Sequence, residues 1–146
     1  MKKQLVIFFL VAAMALGVQA QENSLNERDL PVDIQTSFKT HFSDASDASW
    51  KKKAGNYKVS FKRNGVKNIA SFNEGGTLTS RGIEIKENEL PAPIRTAVST
   101  SYKDRKIEEI YKMEKEGTTS FLVKLKGDPA TKLMYSQEGQ LIKDKY

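Results

Sequence analysis

The chain has 146 residues, with 24 Lys and Arg against 18 Asp and Glu for a formal charge of +6, no cysteine and one histidine. These counts exclude disulfides, thiolate catalysis and any metal site built from cysteines or several histidines. The basic surplus is spread over both halves of the chain, unlike a nucleic-acid binder, which concentrates Lys and Arg on one face.

Residues 1–20 read as a secretory signal peptide, with Lys2 and Lys3, an apolar run from Leu5 to Val18, and Val18-Gln19-Ala20 as the cleavage region. Cleavage is expected after Ala20. The apolar run is shorter than the ~20 residues that a membrane span needs, so no stable membrane anchor is expected after cleavage. The product is expected in the periplasm or outside the cell. Gln21 to Glu27 is polar and reads as a flexible N-terminal segment.

Leu30-Pro31-Val32-Asp33-Ile34, followed by Phe38 and Phe42, predicts a helix over 31–42. Proline at the first helical position sacrifices no hydrogen bond, and Asp33 suits the positive end of the helix dipole. The spacing of Ile34, Phe38 and Phe42 puts them on one helix face. Ser43 to Asp47 ends the helix, and a first strand containing Trp50 follows. A hairpin at Ala54-Gly55-Asn56 leads to a strand over 57–62, where Tyr57, Val59 and Phe61 alternate with Lys58, Ser60 and Lys62. Arg63-Asn64-Gly65 is a tight turn, and further strands are predicted over about 66–72 and 77–85.

The pattern then recurs. Leu90-Pro91-Ala92-Pro93-Ile94, with Val98 and Tyr102, predicts a second helix over 91–102. Strands follow over about 107–115, 118–126, 130–136 and 140–145, with a turn at Gly127-Asp128-Pro129. Phe121, Val123 and Leu125 alternate with Leu122, Lys124 and Lys126. Phe72-Asn73-Glu74-Gly75-Gly76-Thr77-Leu78 matches Tyr135-Ser136-Gln137-Glu138-Gly139-Gln140-Leu141. The order is one helix and four antiparallel strands, twice, over 28–85 and 86–146. The short hairpins exclude parallel βαβ units. A half of about 60 residues is marginal alone, so one compact unit with a shared core is expected.

An export signal followed by two copies of a Leu-Pro-x-x-Ile helix, a Tyr-x-Val-x-Phe strand and a Phe-x-x-x-Gly-x-Leu hairpin resembles the PepSY-like family, over about residues 28–146. These exported bacterial proteins are similar in fold to the β-lactamase inhibitor protein. The resemblance implies an α+β fold in which two tandem α-β4 repeats form a continuous antiparallel sheet with both helices on one face. The other face would be open and concave. It also implies a binding or inhibitory role. This chain lacks the disulfide that the inhibitor carries in each repeat, and no position here takes over its inhibitory contacts.

The candidates for chemistry each have a plain structural account. His41 stands alone on the first helix. Glu108, Glu109, Glu114 and Glu116 could pair for acid–base work but alternate with Lys112 and Lys115, as on a solvated face. Asp44 and Asp47 lack calcium-loop spacing. Asn73 to Gly76 could cradle an anion, but a hairpin turn explains its glycines. Trp50, which aligns with Ile110 or Tyr111, reads as core. If Tyr57, Val59 and Phe61 face the helices, then Lys51, Lys53, Lys58, Lys62, Lys124 and Lys126 make the opposite sheet face rich in lysine and poor in aromatics. The reading is an exported, non-enzymatic binding module with no cofactor and no metal. Its expected partner is an envelope or secreted protein or peptide, and it acts as a binder or a protease or hydrolase inhibitor. A glycan, a small molecule or a passive envelope role is the alternative, and nucleic acid is not expected.

Overall fold

The computed structural model describes residues 23–143; the leader read over 1–20 lies outside them. The strands are β1 (Asn23–Leu25), β2 (Ser46–Lys53), β3 (Asn56–Arg63), β4 (Val66–Phe72), β5 (Leu78–Glu84), β6 (Ile107–Lys115), β7 (Thr118–Leu125), β8 (Thr131–Ser136) and β9 (Leu141–Lys143). They lie in one sheet in chain order, and each neighbouring pair is antiparallel. Helix α1 (Val32–His41) falls between β1 and β2, and α2 (Ala92–Ser101) between β5 and β6. This is the expected tandem α-β4 architecture with one strand added at the N-terminal edge.

That added strand departs from the flexible segment expected over 21–27. Leu25 pairs opposite Trp50 and packs against the first helix's core. One apolar side chain with a place in the core, together with ladder hydrogen bonds to β2, orders a stretch that is otherwise polar.

Pro31 and Pro91 cap the helices rather than open them, so the helices begin one residue after the expected starts. The Pro31 carbonyl accepts from the Gln35 amide at 3.1 Å, and the Pro91 carbonyl from the Arg95 amide at 3.1 Å. Three hairpins turn on two residues with positive φ, Ala54-Gly55, Asn64-Gly65 and Glu116-Gly117. That geometry matches the twist of the flanking strands.

The halves do not share one core as expected. Ile34, Phe38 and Phe42 of the first repeat pack on Trp50, Val59, Phe61, Ala70 and Phe72. Phe38 meets the Trp50 and Phe61 rings edge-on at 5.0 and 5.2 Å. Ile94 and Val98 pack separately on Ile110, Phe121, Val123, Leu125 and Leu133. A third cluster, Tyr111, Met113 and Leu122 with Ile69 and Met134 against it, joins the repeats. It lies on the reverse of the sheet, because strand side chains alternate between faces and Ile110 and Val123 belong to the helix side. Continuity between the halves therefore rests on the β5–β6 ladder and on this reverse cluster.

Candidate functional site

The reverse face, away from both helices, can be read row by row from the strand register. Lys51 stands opposite Lys58, which stands opposite Ser71. In the next row Ser60 faces Ile69, Ile69 faces Gly82, and Gly82 faces Met113. Beyond it, Lys62 faces Lys67, while Glu84 faces Tyr111, Tyr111 faces Leu122, and Leu122 faces Met134. The face thus runs from lysine and serine on β2 and β3 to apolar side chains on β6, β7 and β8, with Lys124 opposite Lys132 two residues further along β7 and β8.

Of the six lysines read as a binding set, the structure brings four together. Lys51, Lys53, Lys58 and Lys62 share the reverse face of the β2–β3 hairpin. Lys62 also meets the Asp47 carboxylate at 3.1 Å. Lys124 is four strands away from that hairpin, on β7. Lys126 follows the end of β7, and its amide bonds the Lys106 carbonyl at 2.8 Å.

Lys124 belongs to a different arrangement centred on Glu109. The Glu109 carboxylate accepts from Lys124 Nζ and from Lys67 Nζ, each at 2.6 Å. It thereby ties β4 to β7 over the repeat junction. Partial burial alone would raise its pKa, but the bonds from Lys124 and Lys67 outweigh that and hold it at about 2. The Lys124 ammonium also lies 5.0 Å from the centre of the Tyr111 ring. Burial first, then the charges of Glu109 and Glu84, push the Tyr111 phenol well above its usual value.

Glu109 is the residue that the sequence reading missed, having been placed with Glu108, Glu114 and Glu116 on a solvated face. The alternation of β6 puts Glu109 and Glu114 on opposite faces, and Glu114 pairs instead with Arg81 at 2.7 Å. The available signal was the doublet Ile110-Tyr111 facing the doublet Leu122-Val123. Adjacent apolar residues break the period-two rule and mark a strand covered on both faces. The same observation decides the alignment of Trp50: Ile110 pairs with Val123 on the helix side, as Trp50 pairs with Val59, while Tyr111 points the other way.

The remaining candidates have local explanations. Asp44 is bound to Arg63 at 2.7 Å, and Asp47 to Lys62, so each already faces a cation. In the Asn73–Gly76 turn the Thr77 amide donates to Asn73 Oδ1 at 2.9 Å and the Gly76 amide to the Asn73 carbonyl at 3.1 Å. His41 is exposed on α1. Beside the end of α1 lies an open hollow of about 450 Å³, lined by Glu27, Phe38, Lys39, Phe42, Ser43 and Asp47 among others. Among the described residues no helix is long and apolar enough to cross a membrane.

With this geometry in place, the comparisons with known proteins agree on the fold. The model of a family described as "Putative beta-lactamase-inhibitor-like, PepSY-like" matches residues 16–79 and again residues 55–143. Two matches on one chain accord with the repeat. A solved DUF2874 family protein from Bacteroides ovatus is 20% identical with a TM-score of 0.63, over 80% of this chain and 86% of that one. A "putative periplasmic" protein from Bacteroides eggerthii is 15% identical with a TM-score of 0.66, over 80% of this chain and 88% of its own. A BLIP-like protein from Bacteroides fragilis is 22% identical with a TM-score of 0.58, over 80% and 85% respectively. At such identities the likeness is one of fold. No curated protein matches the chain.

Proposed function

This chain belongs to the β-lactamase-inhibitor-like, PepSY-like family, and from that premise we propose that it is an exported, non-enzymatic binding module acting through the sheet face away from its helices. The observation that carries the reading is the excess of lysine on that face. Lys51, Lys53, Lys58, Lys62 and Lys67 stand on its β2–β4 half against Asp47 of β2, and Lys124 and Lys132 stand on β7 and β8 against Glu84 and Glu109. A surface of one sign steers a partner of the other and raises its association rate. The helix side of the sheet is committed to the two cores. The periplasmic description of one structural neighbour and the signal-like residues 1–20 support an envelope or extracellular location.

Inhibition of a protease or another hydrolase is the sharper form of this reading, in which the bound partner is an enzyme. The test is stoichiometric recovery of an envelope partner by the wild-type protein, compared with a K51E/K58E/K62E variant and with K39E/R95E, which reverses exposed charges on the helices. The reading expects loss of the partner from the first variant and retention by the second. Equal recovery by all three proteins would remove the face from the account.

A further inference from the structure

We propose a second docking site, independent of the reverse face: the hollow beside α1 receives Ile142 from the β9 edge of a second copy, so that copies join head to tail. The two repeats differ at two matched positions, and the differences are complementary. Counting back from the matched pair Trp50 and Ile110 brings Asp47 onto Ile107, each inside a register irregularity of its strand. The preceding loops support the match, since the Ala45 amide bonds the Phe42 carbonyl and the Arg105 amide the Tyr102 carbonyl, each at 3.0 Å. Ile107 packs, like Tyr102, against the second core. Asp47 instead takes a φ of +54° and meets Lys62 of the reverse face. The place that an aliphatic side chain fills in the second repeat is thus left open in the first, as the hollow walled by Phe38, Phe42, Ala45 and Ala48.

The strand beside this hollow is open as well. β1 pairs with Trp50, Lys51 and Lys52 and then turns away to α1. Ser46 to Ser49 therefore border β3 on one side and, among the described residues, no strand on the other. All four are exposed. An unpaired strand edge is a template for an incoming extended segment, with pockets beside it reading alternate side chains.

The other edge of the sheet presents what the hollow lacks. Leu141 and Ile142 of β9 are 48% and 58% exposed. Ile142 stands outside the β8 ladder, because Leu141 faces Tyr135 and Lys143 faces Met134. Its counterpart in the first repeat is Thr79, whose hydroxyl donates to the Ser71 carbonyl at 3.0 Å. A polar residue used within its own repeat is thus replaced, on the outermost strand, by an exposed aliphatic one. A donor on one edge and an acceptor on the other make a heterologous contact, which propagates instead of closing on a pair.

The test is sedimentation velocity over a range of concentrations, on protein purified after expression of the full chain. The wild type is expected to form dimers and then longer species as concentration rises. I142E removes the donor. D47I fills the hollow with the second repeat's own residue, and A48K blocks it with a long side chain. Each variant alone should associate roughly ten- to hundredfold more weakly, the worth of one buried aliphatic side chain. I142E mixed with D47I or A48K should restore dimers and nothing larger, since the mixture holds one working donor and one working acceptor. Circular dichroism checks that the variants fold; A48K, at an exposed position, decides if D47I does not. A wild type that stays monomeric overturns the inference, and so does association of I142E at wild-type strength. Loss in I142E with none in D47I or A48K would mean that β9 pairs with β9, which overturns it too. A mixture that stays monomeric does the same. None of these outcomes bears on the reverse-face lysines, which take no part in the contact.

Discussion

The Glu109 carboxylate stands 2.6 Å from the Lys124 ammonium, on the face of the sheet that carries no helix. With Lys67 on its other oxygen, Glu109 fastens the two repeats across β5 without sharing a core between them. Its folded pKa of about 2 lies below the ordinary 4.5. A carboxyl depressed in this way stabilises the fold above its unfolded pKa, and that contribution is lost as pH falls through the folded value. Denaturant midpoints measured between pH 5 and pH 2 are therefore expected to fall more steeply for the wild type than for E109Q. The difference is on the order of 1–3 kcal/mol at the upper end. Parallel acid limbs would show that Glu109 contributes nothing to joining the repeats.

Gly76 and Gly139 occupy the same place in the two repeats, each pressed against the first turn of its own helix. A Cβ on Gly76 would stand 2.9 Å from the Asp33 carbonyl oxygen, and one on Gly139 2.8 Å from Pro93 Cβ; φ at these positions is +79° and +86°. Both the backbone conformation and the close approach require glycine. G76A and G139A should each cost about 1–3 kcal/mol in denaturant unfolding. Gly65, also at positive φ but with nothing within 4 Å of its Cβ position, is the control, since G65A meets the conformational cost alone. A G76A variant as stable as G65A would contradict the helix contact.

Gly82 shows a different constraint, since it has no positive φ. A Cβ there would collide with Met113 Sδ and come within 3.0 Å of Ile69 Cγ1. The glycine makes room for the reverse-face cluster. G82A is expected to destabilise by about 1–3 kcal/mol through overpacking. Combined with M113A it should cost less than the sum of the two single changes, because the added methyl then enters the space vacated. Strict additivity in that cycle would mean that the two positions do not meet.

Trp50 is 1% exposed and packs beneath Phe38 and Phe72, while its indole Nε1 has no hydrogen-bond partner among the described residues. W50A should cost about 3–5 kcal/mol in a denaturant melt. W50F should cost much less, because it removes a buried donor that satisfies nothing and keeps an aromatic ring. Equal losses from the two variants would point to a role for the N–H.

Most of the fold was legible because each repeat states its elements in local terms. The spacing of Ile34, Phe38 and Phe42, the alternation from Tyr57 to Phe61, and the Asn64-Gly65 turn are decided by near neighbours. The functional face was legible only in part. Alternation places Lys58 and Lys62 on the reverse side, and the structure agrees. It cannot say what lies opposite Lys124, because that depends on register with β6 and on a bulge between Ile107 and Glu109. Glu109 looked solvated in a mixed run of charges, whereas pairing across non-adjacent strands turned it into a junction. Leu25 was lost in a polar segment for a similar reason, since its partner Trp50 is distant in the chain.

The central claim is that the helix-free face meets the partner. It is tested most directly by placing a photo-crosslinking residue at Ser60, exposed between the lysine rows on β3, and separately at Arg95, exposed on α2, in the protein's own envelope. The account predicts a discrete stoichiometric adduct from Ser60 and none from Arg95. Adducts from Arg95 alone, or the same adduct from both positions, would contradict it.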